Sequence, residues 1–363
     1  MRKNTEELQT LRKEIDSIDK KITLLLNKRG ELAFNIGKIK SCNNETYYNP
    51  GRESEVFRNI NGYNKGPLRG EHLQNIFREI ISACIDLESK IRVGYFGPEG
   101  TYTHIAAIKR FGSSRTLIPL KTISEVFDSV SKGLSNYGVV PVENTIEGMV
   151  SATFDMFVNS DATIIGEEVI PISLFLFSKE GDIKKIKKIY SHPQPFGQCR
   201  NFLEENFKDA ELIDAFSTAD ACIKASKEDG AAAIASEIAG RIYGLNTVLP
   251  HIEDYSNNFT RFLIISNREK TSKTGNDKTS ILFSIKNSVG ALYKILKPFY
   301  ENGINITKIE SRPSKKFNWD YLFFIDVSSH ESDERLKKAL RGIEEYTIFI
   351  KILGSYETAA NNI

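Results

Sequence analysis

The chain has 363 residues, of which 40% are hydrophobic and 26% charged, with a formal net charge of +2. This length exceeds what a single hydrophobic core usually supports, so two or three domains are expected. Ordinary apolar content and nearly balanced charge describe a soluble globular protein with no nucleic-acid or membrane partner, and leave small anionic ligands open. The opening MRKNTEELQTLRKEID has no apolar segment of the signal-peptide kind, and no stretch reaches the ~20 apolar residues of a membrane span, so a cytoplasmic location is expected. Cys42, Cys84, Cys199 and Cys222 lie far apart without C-x-x-C spacing. They read as reduced thiols, and neither a metal nor another cofactor is expected.

Leu11, Ile15, Ile18, Ile22, Leu25, Leu32, Ile36 and Ile39 follow a three-four alternation that predicts one long amphipathic helix ending near Cys42-Asn43-Asn44. Arg29 fills the apolar slot between Leu25 and Leu32, which puts a guanidinium on the stripe. Lys40 points the same way roughly 16 Å further on, so the two cations can converge on one small dianion. Arg12 stands roughly 25 Å before Arg29 on the same axis and must reach such a ligand from a second chain. Two shorter helices are predicted over Arg52–Ile60 and Glu71–Lys90, separated by the turn-rich NGYNKGP. They are too short to cover a stripe of ~50 Å, so an interlocked homodimer is expected.

After Ile91 short β-branched runs alternate with amphipathic segments: IRVGYF, TLIPL, YGVVPV, TIIGEEVIPISLFLF, KKIYSH, AAAIAS and FLIIS. This is the rhythm of parallel α/β units, and the length fits two small lobes. Capping signals stand at Thr122-Ile123-Ser124-Glu125 and at Ser217-Thr218-Ala219-Asp220. The polar stretch NREKTSKTGNDK, residues 267 to 278, reads as a linker. Beyond it TSILFSI, GALYKILKPFYENG, INITKIESRP, YLFFIDV, ESDERLKKALRGI and TIFIKILG give β-α-β-β-α-β, a ferredoxin-like order.

Chemistry concentrates in the loops after strands, where α/β folds bind ligands. GPEGTYTH, ENTIEG, SHPQPFGQC and STAD supply glycines for tight turns and the short hydrogen-bonding side chains of Thr101, Thr103, Asn144, Thr145, Ser191 and Thr218. His192 is as well placed to cap a helix as to catalyse, and Glu143 can also be read as a cap. Cys199 at a helix start reads as structural.

Three resemblances follow from these motifs. LRKEIDSIDKKITLLLNKRGELAFNIGKIK, with GRE and FREIISACIDLE, resembles the all-helical chorismate mutase family over residues 5 to 90. The resemblance implies that Arg12 of the partner chain, Arg29 and Arg52 hold substrate carboxylates, and that Lys40 and Glu88 address the ether oxygen. It assigns Glu53 to the ring hydroxyl, and places Asn49 and Cys84 among the substrate contacts where relatives often carry an acidic and a hydroxylated residue. A Glu88 that donates to the ether oxygen has to be protonated, which needs a carboxyl raised by burial. The loops together with NNFTRF closely resemble the prephenate dehydratase family over residues 91 to 266. That implies dehydration depends on Thr260, that Arg261 and Phe262 complete its motif, and that Glu143, Asn144, Ser191, His192, Gln194, Gln198 and Asn258 line the pocket.

The terminal unit resembles an ACT domain, in which Gly290-Ala291-Leu292 and Glu310-Ser311-Arg312-Pro313 imply a phenylalanine site. A bifunctional chorismate mutase/prephenate dehydratase is therefore expected, acting on chorismate and prephenate with phenylalanine as effector. Its domains would be an all-α helical mutase (1–91), a two-lobed, periplasmic-binding-protein-like α/β dehydratase (92–267) and a ferredoxin-like ACT domain (279–354). Two rivals are a dehydratase whose helical segment only dimerises and a non-catalytic ligand-binding regulator.

Overall fold

The computed structural model of the chain describes residues 2–43, 50–285, 288–313 and 321–359. The chain forms two compact units, residues 1–91 with 111–116, and residues 92–110 with 117–363.

The first unit is built on three helices, α1 (Arg2–Asn43), α2 (Pro50–Tyr63) and α3 (Gly70–Glu88). The long helix is present, but its apolar stripe is not what packs inside this unit. Leu25, Leu32, Ile36 and Ile39 are 66%, 57%, 47% and 62% exposed. The face of α1 turned to α3 carries Gly30, Ala33 and Gly37 instead, all buried. A Cβ at Gly37 would lie 2.7 Å from the Glu88 Cα, so only glycine allows this crossing. On α3, Ile81, Ser82 and Cys84 are buried.

In the second unit the first lobe runs through β1 (Arg92–Phe96), α4 (Tyr102–Phe111), β2 (Thr116–Leu120), α5 (Ile123–Ser131), β3 (Tyr137–Asn144), β4 (Gly148–Met149), α6 (Ser151–Asn159) and β5 (Ala162–Pro171). The second lobe holds β6 (Phe175–Ser178), β7 (Lys188–Ser191), α7 (Pro193–Gln198), α8 (Arg200–Asn206), β8 (Glu211–Asp214), α9 (Thr218–Ala225), β9 (Ala231–Ala235), α10 (Glu237–Ile242) and β10 (Asn246–Leu249). The chain then returns as β11 (Phe259–Asn267). The sheets are ordered β2-β1-β3-β11-β5, with β4 on β3, and β10-β6-β9-β7-β8.

The two-lobed architecture is as expected, but the sheets are mixed rather than parallel. β1 pairs with β3, and β7 with β8 and β9, in parallel. β11 runs antiparallel to both β3 and β5, and β6 antiparallel to β9 and β10. The reason is the double crossing between lobes, which returns a strand reversed without a helical crossover. TIIGEEVIPISLFLF, continuous in hydropathy, divides at this crossing into β5 and β6. The two crossings are hydrogen-bonded together, Ile172 N–H to Asn258 O at 2.8 Å and Ile252 N–H to Leu174 O at 2.9 Å.

The predicted caps are present. Thr122 Oγ1 accepts from the Glu125 N–H at 3.1 Å and Ser217 Oγ from the Asp220 N–H at 3.0 Å. In the first, Glu125 reaches back to the Lys121 N–H at 3.0 Å, one residue before the reciprocal partner of a capping box.

Residues 277–357 form β12 (Asp277–Ile285), α11 (Ala291–Glu301), β13 (Ile306–Pro313), β14 (Tyr321–Val327), α12 (Glu334–Ile343) and β15 (Thr347–Glu357) in an antiparallel sheet ordered β13-β14-β12-β15. Period-2 alternation gives this sheet two apolar faces. Ile281, Phe283, Ile325 and Val327 pack on Ile295 and Phe299 of α11 and Leu336 of α12. Leu282, Phe324, Leu353 and Tyr356 instead join a core with Val140, Val142, Leu263, Ile265 and Phe154. The terminal sheet therefore shares its core with the first lobe. The stretch read as a linker ends β11 and begins β12, and between them it is strapped down. Lys270 pairs with Glu331 at 2.9 Å, Lys273 pairs with Asp333, and the Thr271 hydroxyl donates to Ser355 O.

The docking depends on Gly354, whose φ of 151° and missing side chain let β15 lie directly on β5. A Cβ there would stand 2.0 Å from Ile164 O. Gly354→Ala is expected to destabilise the second unit by about 3 kcal/mol, the upper range for overpacking in a rigid contact, read as a lower denaturant midpoint.

Candidate active sites

In the helical unit the Gly37 crossing brings α1 and α3 together where Lys40 meets Glu88, Nζ to Oε2 at 3.1 Å, both largely sheltered. Arg29 is half-buried, Cys84 is buried, and Glu53 is half-buried on α2. Arg52 is exposed and pairs with Glu55 at 2.6 Å, and Arg12 is exposed near the opposite end of α1. Asn49 lies outside the described residues. The glycine that sets the Lys40–Glu88 approach was not picked out by the sequence pattern, although the small residues at Gly30, Ala33 and Gly37 repeat at helical spacing and were available as a signal.

In the two-lobed unit, GPEGTYTH folds over the start of α4. Thr101 caps it, its Oγ1 accepting from the His104 N–H at 3.3 Å and donating to Pro98 O at 3.0 Å. The loop is fastened to the second lobe: Ser236 Oγ donates to Gly100 O at 2.8 Å and Tyr243 OH to Glu99 O at 3.1 Å. Thr103 is buried beside His104, whose Nδ1 accepts from the Gly100 N–H at 3.1 Å and whose burial lowers its pKa. In the second lobe Ser191 is fully buried and ties β7 to β9 through Ile234 O at 3.0 Å. His192 caps α7, its Nδ1 accepting from the Gln194 N–H at 3.3 Å. Gln198 is buried, its backbone carbonyl accepting from the Asp254 N–H at 2.7 Å, and Thr218 opens α9 half-buried. Burial, aided by Asp254 and Glu253, pushes the Cys199 thiol far up, and burial raises Cys222 to about 12, so neither is a thiolate.

One pair in this region is fixed with unusual completeness. Asn144 ends β3 opposite Thr260 of β11. Its Oδ1 accepts from the Ile146 and Glu147 N–H groups at 3.0 and 3.1 Å, which sets the orientation of the amide. Its Nδ2 therefore faces Asn258 Oδ1 at 2.8 Å, Thr260 Oγ1 at 2.9 Å and Phe259 O at 3.2 Å, two hydrogens for three acceptors. Thr260 receives a hydrogen bond here, so its own proton is left to point elsewhere. Asn258 is 1% exposed, and its Nδ2 is buried without a partner among the described residues. Thr145 closes the turn through Asn257 O and the Phe259 N–H at 3.2 and 3.0 Å. Glu147 of the ENTIEG loop, to which the sequence alone assigns no role, meets Gln194 and has its carboxyl raised by burial despite that hydrogen bond.

The neighbours of this pair face the other way. Arg261 pairs with Glu143 in register, their side chains 3.8 Å apart. The Arg261 guanidinium is held by Glu167 at 2.6 Å, Asp326 at 2.6 Å and Tyr356 OH at 2.8 Å. Glu143 pairs with Lys308 of β13 at 2.6 Å. Phe262 is 1% exposed and belongs to the core. Arg261, Glu143 and Phe262, expected to line the pocket, thus direct their described contacts to the terminal sheet or the interior.

Of the terminal motifs, Gly290-Ala291-Leu292 opens α11, with Gly290 left-handed at φ 73°. Glu310, Arg312 and Pro313 line a cavity of about 590 Å³ with Phe154 and Phe349 on the sheet face away from α11. Ser311 alternates to the other face of the edge strand and is exposed. Arg312 is held by Asp155 at 2.9 Å and Ser151 O at 2.6 Å. The fold therefore separates the two motifs across the sheet.

The sequence matches the family described as chorismate mutase type II over residues 11–89, prephenate dehydratase over 93–270 and the ACT domain over 279–345. The bifunctional chorismate mutase/prephenate dehydratase of Aquifex aeolicus is 51% identical over 358 residues, covering 98% of this chain and 99% of that protein. Its counterpart in Pseudomonas aeruginosa is 41% identical over 360 residues, 98% of each chain. The prephenate dehydratase of Arthrobacter aurescens, solved in complex with L-Phe, is 31% identical with a TM-score of 0.69, over 74% of this chain and 90% of that one. With all three segments matched in one order along nearly the whole length of these relatives, the chain belongs to the bifunctional chorismate mutase/prephenate dehydratase family.

Proposed function

We propose that the chain rearranges chorismate to prephenate in residues 1–91 and converts prephenate to phenylpyruvate, carbon dioxide and water in residues 92–267, under feedback by phenylalanine acting through residues 279–354. For the first step no nucleophile is needed, since the rearrangement breaks the ether bond and forms a carbon–carbon bond in one pericyclic event. The protein's task is to hold the reactive conformer and stabilise charge on the ether oxygen. Lys40 serves that oxygen, held in place by Glu88 at 3.1 Å. Arg29 and Arg52 hold the carboxylates, and Glu53 and Cys84 surround the ring.

Arg12 enters from a second copy, and the reading as a homodimer rests on the exposed stripe of α1. In a two-fold dimer each site would then combine Lys40 of one chain with Arg12 of the other. Lys40→Ala and Arg12→Ala chains are each expected to lose ~10²–10³-fold in rearrangement while dehydrating supplied prephenate normally. Refolded together in equal amounts they should recover about a quarter of the parent activity, because half the dimers are mixed and one of their two sites is intact. Absence of recovery in a dimer would remove Arg12 from the site.

For the second step, departure of carbon dioxide leaves an electron pair that aromatises the ring and expels the ring hydroxyl, which takes a proton and leaves as water. Thr260 is the hydroxyl donor to that leaving group. The observation that carries this is the amide of Asn144, donating to Thr260 Oγ1 at 2.9 Å and thereby turning the threonine proton outward. The unpartnered Nδ2 of Asn258 supplies a nearby donor for a substrate carboxylate. Ser191, His192, Gln194, Gln198, Thr101, Thr103, Thr145 and Thr218 shape the cleft around it. Phenylpyruvate formation by Thr260→Val should fall by at least about 10³-fold, while prephenate accumulates from chorismate. Asn144→Asp should lose comparably, because a carboxylate there draws the threonine proton to itself. Near-normal rates in either variant would sink this assignment.

Gly290-Ala291-Leu292 and Glu310-Ser311-Arg312-Pro313 are the proposed effector motifs, with backbone N–H groups for a carboxylate and Glu310 for an ammonium; since the sheet separates the two motifs within one chain, a ligand that uses both would join two copies. The relative solved with L-Phe supports phenylalanine as that effector. Among the described residues no helix is long and apolar enough to cross a membrane, in keeping with the cytoplasmic location we propose.

A further inference from the structure

We propose that Arg261 and Glu143 are positioning residues rather than substrate ligands, and that through them the terminal sheet sets the geometry of Thr260 and Asn144. Four residues on two adjacent strands carry the argument. Thr260 faces Asn144, and Arg261 faces Glu143, in consecutive rungs of the β11–β3 ladder. Successive side chains on a strand point to opposite faces. The Thr260–Asn144 pair and the Arg261–Glu143 pair therefore lie on opposite faces of the sheet.

On that other side the charges are committed to the terminal sheet. Arg261 bonds Asp326 of β14 and Tyr356 of β15 as well as Glu167 of β5. Burial alone would push the Glu167 carboxyl up, but Arg261 and Lys278 outweigh it and hold it below the usual carboxylate range. Lys278 of β12 reaches Glu167 at 2.9 Å. Glu143 forms an ion pair with Lys308 at 2.6 Å, and Lys308 stands 3.7 Å from Glu310, the first residue of the proposed effector motif. Contacts thus run without a gap from Glu310 through Lys308 and Glu143 to the backbone that carries Asn144.

The readout is sensitive. The bond between Asn144 and Thr260 joins the two strands, and hydrogen bonds weaken steeply with misalignment, so a small slide of β3 against β11 turns the threonine proton away from its target. An ammonium held by Glu310 competes with Lys308 for that carboxylate and changes the pull of Lys308 on Glu143. Such a ligand has the differential interaction with two states that any conformational effect requires.

This inference rests on phenylalanine being the effector, and the test separates the two. Lys308→Met in the full chain keeps the packed stem and removes the charge. Dehydration without effector should stay within about twofold of the parent, and calorimetry should still detect phenylalanine binding. The factor by which saturating phenylalanine raises the apparent KM for prephenate, ordinarily about 5–150 for a coupled pair of sites, should fall close to one. Glu143→Gln removes the same ion pair from the other strand and should also abolish the factor, which covers the case of a Lys308 variant that fails to fold. Tyr356→Phe withdraws one bond from Arg261 without removing a charge and should reduce the factor partially. An undiminished factor in the folded variants overturns the route while leaving phenylalanine as effector. Loss of phenylalanine binding in Lys308→Met would place Lys308 in the ligand site and also overturn it. A parent chain that phenylalanine neither binds nor inhibits would remove the effector and this inference together.

Discussion

A guanidinium cannot be neutralised at any pH a protein survives, and the Arg261 side chain is only 11% exposed. Its charge has to be met by carboxylates in place, and the fold draws them from two directions, Glu167 within the catalytic sheet and Asp326 from the terminal sheet. Separating the sheets would leave Arg261 and Asp326 each without a counter-charge in the interior, at a cost of roughly 3–5 kcal/mol for a broken buried pair. The pair's net contribution relative to an apolar core is small by the same reasoning. What it supplies is specificity of docking, which fixes where β11 lies and so where Thr260 stands. Gly354 serves the same contact from the backbone side, by letting β15 approach β5 more closely than any side chain allows.

The two chemistries differ in what they ask of the fold. Rearrangement of chorismate needs cations around a small dianion and a dry wall. Three helices with a glycine crossing supply the Lys40–Glu88 pair, and the stripe on α1 is exposed, as the proposed second chain with its Arg12 requires. Dehydration needs a donor aimed at one oxygen, and a strand ladder is better suited to that. Backbone hydrogen bonds hold β3 and β11 in register while Asn144, its own oxygen occupied by two N–H groups, orders the threonine hydroxyl. Placing this pair beside the crossings between lobes puts it where a two-lobed protein forms its cleft.

Much of this was legible in the sequence because it is local. Helix period, capping pairs, turn glycines and the β-α-β-β-α-β order each depend on residues within a few positions of one another. The family motifs are the ground on which Thr260, Asn144 and the effector candidates are proposed. What was not legible depends on contacts between distant segments. Hydropathy reads TIIGEEVIPISLFLF as one apolar run, because a strand buried in either sheet looks the same. The stripe on α1 predicts a buried face, yet within this chain Leu25, Leu32, Ile36 and Ile39 are exposed. The stretch from 267 to 278 has the composition of a linker, and nothing in it announces the carboxylates of Glu331 and Asp333 that hold it down. Arg261 follows Thr260 in the motif that the family resemblance names, and strand alternation sends the two neighbouring side chains to opposite faces.

The account stands on the hydrogen bond from Asn144 to Thr260, and a double-mutant cycle on dehydration measures it directly. Asn144→Ala, Thr260→Ser and the double variant would be compared by kcat with prephenate as substrate. If the amide acts by orienting the threonine hydroxyl, the penalties overlap, and the double variant loses clearly less than the product of the single losses. Losses that simply multiply would mean that the two residues act independently and that the orientation of Thr260 is set by something else.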